Sequence, residues 1–350
     1  MSLIRIRKQV DDALTAFVER QRPVLWAISE DVTPLMEALE ALLSGGKRLR
    51  PAFCYWGWRA AGGGADEPGL IDAAASLELL QASALVHDDV MDSSDTRRGL
   101  PSAHRRFEAM AAGQGWAAGE AFGLGAAILL GDLCLSWSGE MFETSGLGAE
   151  RLARGRRVYD LMRTEVMFGQ YLDLLAGARG GATVEQALRV VEYKAAKYTI
   201  ERPLHLGAAL AGADPDVATA LTGYGLPVGV AFQLRDDVLG VFGDPEVTGK
   251  PAGDDLREGK RTVLVALTLE RAGAARAATL NRLLGDPELD AAGVAELRGI
   301  ITDSGGLAAC EALIDGYAAE ATAALDAAPI AADAHAALAD LAVAAITRRA

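Results

Sequence analysis

Residues 69–92 read GLIDAAASLELLQASALVHDDVMD. The apolar positions follow a helical period and leave almost no polar face, the pattern of a long helix buried in a core. Yet it ends in carboxylates. Asp88, Asp89 and Asp92 are followed by Asp95, and then by Arg97 and Arg98. If the helix runs through residue 95, Asp88, Asp92 and Asp95 fall at i, i+4 and i+7 and line one face. Carboxylates this close repel one another, so positive charge belongs among them.

The same period continues outward on both sides. VTPLMEALEALLSGG reads as a helix with Pro34 in its first turn and glycines at its end. AAILLGDLCLSWSGEMFE, GRRVYDLMRTEVMFGQYLDLLAG, TVEQALRVVEYKAAKYTIERPLHLGAALAGA and ATALTGYGLPVGVAFQLRDDVLGVFG follow in the same style, and the last hundred residues add Ala-rich amphipathic helices. No alternating strand pattern, 20–50-residue repeat or linker tract interrupts them. The expected fold class is all-α: one domain over 1–350, a large helical bundle around a central cavity.

Composition narrows the function. The 350 residues are 51% hydrophobic and 23% charged, with a net charge of −14. Such an acidic chain does not suit general nucleic-acid binding. Cys54, Cys134 and Cys310 are too scattered for a metal site, and reduced thiols in the cytoplasm are expected. The N-terminus has no signal-peptide pattern. The longest uncharged apolar stretch, 121–131, is shorter than the ~20 residues of a membrane span, so none is expected. Of 34 basic residues only six are lysines.

A second acidic cluster, Asp236 and Asp237 in FQLRDDVLGVFGD, with Asp244 beyond, also ends an apolar helical pattern. One Asp-Asp pair at a helix end is ordinarily solvated. Two pairs, each beside glycines and basic residues, argue instead for hard oxygen ligands suited to Mg²⁺, which keeps positions open for water and phosphate. The cations lie in similar surroundings: Lys47, Arg48 and Arg50 in SGGKRLRP, Arg97 and Arg98 in DTRRG, Lys194 and Lys197 in EYKAAKYT, Lys250 and Lys260 in TGKPAGDDLREGKRT. A metal with this many cations implies a polyanionic substrate carrying more than one phosphate.

GGKRLRP, HDDVMDSSDTRRGLPSAH, GQYLDL, YKAAKYT and FQLRDDVLGVFGDPEVTGKPAGDDLREGKRT, in this order over roughly residues 40–265, resemble the trans-isoprenyl (polyprenyl) diphosphate synthases. The resemblance implies an all-α isoprenoid-synthase fold, usually a homodimer, and Mg²⁺-dependent head-to-tail condensation of isopentenyl diphosphate with an allylic diphosphate. It implies Asp88, Asp92 and Asp236 as ligands of three Mg²⁺ ions. Arg97, Lys194, Gln233, Lys250 and Lys260 would hold the allylic diphosphate, and Gly46, Lys47, Arg50, Gln81 and Arg98 isopentenyl diphosphate. The released diphosphate would take up the proton, leaving His87 a structural role. Three positions depart from the family pattern: Gly240 replaces a third Asp, Ala195 a Thr, and Gln81 a His.

Product length is expected to depend on the helix carrying Asp88. Ser83 and Ala84, five and four residues before it, are small where bulky side chains in the family stop growth at C15. Leu79 and Leu80 lie one turn deeper. An isoprene unit is about as long as one ~5.4 Å helical turn, so a floor there implies a C20 product, geranylgeranyl diphosphate. A C15 product, products of C25 and above, and a non-catalytic regulatory subunit are the alternatives within this fold. A class I terpene cyclase would have no use for the GGKRLRP loop.

Overall fold

The computed structural model describes residues 2–243 and 253–347. Lys250 and Asp244, two of the expected polar residues, lie outside them. The described residues are helical almost throughout. The chain divides into two compact units, residues 1–156 with 206–212, and residues 157–205 with 213–350.

The first unit holds α1 (Leu3–Trp26), α2 (Thr33–Leu43), α3 (Leu49–Ala60), α4 (Leu70–Met91), α5 (Ala103–Gly113), α6 (Gly119–Glu143) and the first part of α7 (Ala149–Ala178). Its axis is α4, apolar all round and buried from Ala73 to Leu80. It packs chiefly on α6 and also on α1 and α3. α4 stops after Met91 because the chain closes a Schellman-type cap: Ser93 turns left-handed at φ 53°, and the Ser94 amide donates to the Asp89 carbonyl at 2.9 Å. Asp92 therefore caps the helix. Asp95 lies beyond it, exposed and paired with Arg105 at 2.7 Å, not on the Asp88 face. The sequence showed no strand pattern, yet a hairpin of β1 (Thr96–Arg97) and β2 (Leu100–Pro101) follows. Arg98 and Gly99, at φ 54° and 76°, form its two-residue turn.

The second unit contains the rest of α7, α8 (Val184–Val190), a π-helical segment (Val191–Glu201), the start of α9 (Arg202–Ala211), α10 (Pro215–Phe242), the short α11 (Asp254–Arg257), α12 (Val263–Arg271), α13 (Ala274–Leu283), α14 (Ala291–Asp303), α15 (Gly306–Asp326) and α16 (Ala332–Ile346). Its central helix, α10, packs on α15 and on the π-helical segment. Gly225 and Gly229, one turn apart, allow the second contact. A Cβ on Gly229 would come within 2.6 Å of the Ala196 Cα, and one on Gly225 within 3.2 Å of the Glu201 Cα.

By length and composition α6 and α10 could each cross a membrane, which corrects the expectation that no stretch reaches that length. In α10 the apolar window is 56% buried within the protein, the behaviour of a core helix.

Candidate active site

In the first unit the structure gathers three expected motifs. Asp88 and Asp92 stand at the C-terminal end of α4, both partly accessible. Arg97 lies over this end. Its Nε donates to Asp89 Oδ1 at 2.9 Å, its Nη2 contacts the same oxygen, and Nη2 lies 3.9 Å from Asp88 Oδ2. Asp89 is only 1% exposed. Burial pushes its carboxyl above the usual range, and Arg97 opposes that shift. Asp89 is thus the anchor of Arg97, a role the motif reading did not give it.

Arg98, next in the hairpin turn, reaches back to the loop before α3, where its Nη1 donates to the carbonyls of Leu42 and Ser44 at 3.4 Å. Partial desolvation lowers its guanidinium from the usual value. Glu78 opposes this, and Arg48, Arg97 and Arg50 add to it. So many cations around one loop suit an anion. Lys47 is exposed on that loop, and Arg50 is half-buried in the first turn of α3. Gln81, on the Asp88 side of α4, has a buried Oε1 with no hydrogen-bond partner among the described residues. His87 is turned toward α6, with Nε2 3.2 Å from the Ile128 carbonyl.

The residues expected to set product length divide around α4. At about 100° per residue, Ala84, Gln81 and Leu77 fall within about 40° of Asp88, and Leu80 about 80° away. Ser83 and Leu79 lie about 140° and 180° away. Leu80 is 2% exposed and Leu79 fully buried. Ala84 and Leu80 thus approach the Asp88 side, and Leu79 does not.

In the second unit, Lys194 sits in the π-helical segment, a rare geometry frequent at functional sites. Its Nζ donates to Asp173 Oδ2 of α7 at 2.6 Å. Gly169 makes this possible, since a Cβ there would overlap the backbone of Tyr193 and Lys194. One residue on, Gln170 has a buried Nε2 with no hydrogen-bond partner among the described residues. Gln170 and Asp173 belong to GQYLDL, whose spacing marked the motif without giving either residue a task. Ala195, in place of the usual Thr, is buried.

On α10, Asp236 is partly accessible. Gln233 donates to Asp237 Oδ1 at 2.8 Å, so it supports the carboxylate cluster. Burial, reinforced by Asp255 and Asp236, raises Asp237 to about 8, Gln233 and Lys260 opposing. Lys260 Nζ lies 3.3 Å from Asp255 Oδ1 and 2.5 Å from Glu258 Oε2. Asp255 leans against Gly240, where the family pattern has its third Asp; a Cβ at Gly240 would overlap its carboxylate.

Among the described residues no three Asp, Glu, His or Cys side chains converge as a metal cage. Paired carboxylates with few protein ligands fit Mg²⁺, which takes its remaining positions from water and substrate phosphate. The raised Asp237 fits too, since a cation would favour the ionised carboxylate that burial, and after it the neighbouring acids, disfavour.

Comparison with known proteins agrees with this chemistry. The chain is 42% identical to a geranylgeranyl pyrophosphate synthase from Corynebacterium glutamicum whose crystal structure holds isoprenyl diphosphate and magnesium, with a TM-score of 0.96 and 100% of both chains covered. A Caulobacter crescentus polyprenyl synthase, complexed with calcium and isoprenyl diphosphate, is 31% identical with a TM-score of 0.79, covering 100% of this chain and 98% of its own. A geranylfarnesyl diphosphate synthase of Aeropyrum pernix is 34% identical over 273 residues, 77% of this chain and 80% of that protein. The polyprenyl synthetase family model matches residues 32–301. The chain belongs to the polyprenyl synthetase family and is a prenyltransferase of the trans-prenyl diphosphate synthase type.

Proposed function

We propose that this enzyme condenses isopentenyl diphosphate head-to-tail with allylic diphosphates, stops at C20, and releases geranylgeranyl diphosphate. The observation that carries the length is on α4. Small Ala84 leaves the Asp88 side open, and buried Leu80 stands about one turn deeper.

Asp88 and Asp92 would hold Mg²⁺ on the allylic diphosphate, and Asp236 a third ion. When bound, the metal neutralises the charge that develops on the leaving diphosphate. Arg97 assists from a fixed position, because Asp89 aligns its guanidinium before substrate arrives. Lys194 is likewise held by Asp173. Lys250 and Lys260 would add charge, and Gln233 would act through Asp237. Lys47, Arg50 and Arg98, with Gln81 and the Gly46 backbone, would bind isopentenyl diphosphate and orient its alkene toward the allylic cation. The apolar wall of α4 keeps water from that cation. No side-chain base is required if the released diphosphate takes the proton.

We place the enzyme in the cytoplasm as a homodimer. The three cysteines are buried free thiols, as a reducing compartment favours. Phe122, Ile128 and Leu129 on α6 are exposed, as a face awaiting a second copy would be.

The test is to incubate the enzyme with Mg²⁺, isopentenyl diphosphate and dimethylallyl, geranyl or farnesyl diphosphate separately. The products are dephosphorylated and the alcohols weighed by mass spectrometry. A dominant C20 alcohol supports the proposal. A dominant C25 alcohol favours a second reading, in which Leu77 is the floor, as the geranylfarnesyl relative suggests. A C15 alcohol rejects both floors, and absence of product with every primer rejects turnover by this chain alone.

A further inference from the structure

The loop between α2 and α3 has a backbone that its sequence would not choose unaided. Gly45, Gly46 and Arg48 have φ of 71°, 95° and 53°. Glycine takes such angles freely, but arginine does so only when its surroundings enforce it. Arg48 is 3% exposed, so its guanidinium is not a surface cation. Its Nε donates to Asp11 Oδ1 of α1 at 2.8 Å, its Nη1 to Glu78 Oε2 of α4 at 2.7 Å, and its Nη2 to the Leu43 carbonyl. Glu78 is also buried, its side chain 7% exposed.

Arg98 holds the carbonyls of Leu42 and Ser44 from the hairpin. Three successive carbonyls, Leu42 to Ser44, therefore accept from guanidinium groups. Gly46 fits beside the same two side chains, since a Cβ there would lie 3.4 Å from Arg48 Nη1 and 3.6 Å from Arg98 Nη2. Carbonyl oxygens repel an anion. Committing them to two arginines offsets that repulsion on the loop that carries Lys47. A buried ion pair is rarely the cheapest source of stability, and its better-attested use is to fix one geometry among several.

We propose that Arg48 is a positioning residue for isopentenyl diphosphate: clamped by Glu78 and Asp11, it sets the loop that presents Lys47 and Arg50. This rests on the reading of that loop as the isopentenyl site. Arg48 acts through the loop and touches no substrate. Its effect falls on one substrate, because the clamp holds the loop and makes no contact with Asp88 or Asp92.

The experiment measures kcat and both KM values for the wild-type enzyme and for Arg48→Lys, Glu78→Gln and, as a control, Lys47→Gln. Lysine keeps the charge of Arg48 but cannot span Glu78, Asp11 and Leu43 together. Arg48→Lys and Glu78→Gln should each raise the KM for isopentenyl diphosphate about tenfold. The allylic KM and kcat should stay within threefold, and the double variant should be no worse than the poorer single one. An unchanged isopentenyl KM, or both KM values and kcat worsening together, overturns the positioning role. If Arg48→Lys does not fold, the near-isosteric Glu78→Gln decides alone by the same criteria. If Lys47→Gln raises the isopentenyl KM and the clamp variants do not, the isopentenyl site stands and the clamp falls. If Lys47→Gln leaves it unchanged, both fall.

Discussion

The carboxylate of Asp255 occupies the space beside Gly240 that a side chain at position 240 would need. In the sequence Gly240 is a gap in an acidic motif. In the structure it makes room for an acid delivered by α11, where Lys260 holds Asp255 and Asp255 adds to the burial that raises Asp237. Gly240→Asp would therefore displace a carboxylate instead of adding one. It should lower kcat/KM at least tenfold and raise the Mg²⁺ concentration for half-maximal activity. Asp255→Asn should shift the Mg²⁺ requirement in the same direction. Mg²⁺ titrations of initial rate check both, and wild-type behaviour of Gly240→Asp would show that Asp255 has no part in the metal chemistry.

Arg97 and Asp89 form a second such pair, and here the acid is the hidden partner. Removing Asp89 leaves a guanidinium without its anchor, and breaking a buried pair costs about 3–5 kcal/mol. Asp89→Ala should be strongly destabilised in urea denaturation. Asp89→Asn keeps the shape and should remain folded, but kcat with geranyl diphosphate should fall tenfold or more while the KM for isopentenyl diphosphate changes little. Equal loss in both parameters would mean that Asp89 serves only the fold.

Ablating the carboxylates assigned to metal separates them from that anchor. Asp88→Ala should cost well over tenfold in activity at saturating Mg²⁺ without a matching loss of stability, because Asp88 is partly accessible. Activity within tenfold of wild type would reject the metal assignment.

How much of this was legible in the sequence depends on the range of the interaction. Helical period sufficed for the all-α class and the order of motifs for the family, while the tasks given to Asp88, Asp92, Lys194 and Asp236 stand as proposals. Asp173 and Asp255 acquire their tasks from partners brought close by packing: Lys194 is 21 residues away in the chain, and the open flank of Gly240 belongs to another helix. The departure at Gly240 was visible as a missing acid, while the acid filling its place was not. The face occupied by Asp95 was misread because Ser93 accepts a left-handed backbone that its residue type does not advertise. The π-helical geometry of 191–201 was likewise hidden: its close approaches to Gly169, Gly225 and Gly229 are made across helices, and an α-helical period describes that stretch equally well.

The division of residues around α4 makes the length hypothesis sharp. Ala84→Phe places a ring on the Asp88 side and should shift the main product from C20 to C15. Leu80→Ala should lengthen it by one unit or more, while Leu79→Ala, on the far side, should lower stability by about 2–5 kcal/mol and leave the product unchanged. Alcohol analysis by mass spectrometry distinguishes these outcomes. A longer product from Leu79→Ala would place the floor on the opposite face.

His205 gives the second unit an acid limit that metal and substrate do not share. Its Nδ1 accepts from Arg202 Nη1 at 3.0 Å, and its Nε2 lies 3.0 Å from Thr222 Oγ1, whose own hydroxyl donates to the Ala218 carbonyl. That network assigns the neutral tautomer with the proton on Nε2. A proton on Nδ1 would set two donors against each other. Burial, reinforced by Arg202, lowers His205 to about 4. Below the ordinary value near 6.5 the unfolded chain takes up a proton that the folded chain refuses. The stabilisation is therefore complete above about pH 6.5 and falls as the pH drops toward about 4, by a total on the order of 3 kcal/mol. His205→Asn keeps an acceptor for Arg202 and removes the titration. Urea unfolding at pH 7.5 and 4.5 should show a smaller loss of stability in the variant than in the wild type, even if the variant is the weaker protein at pH 7.5. Equal acid losses in the two proteins would mean that His205 is already protonated in the folded state.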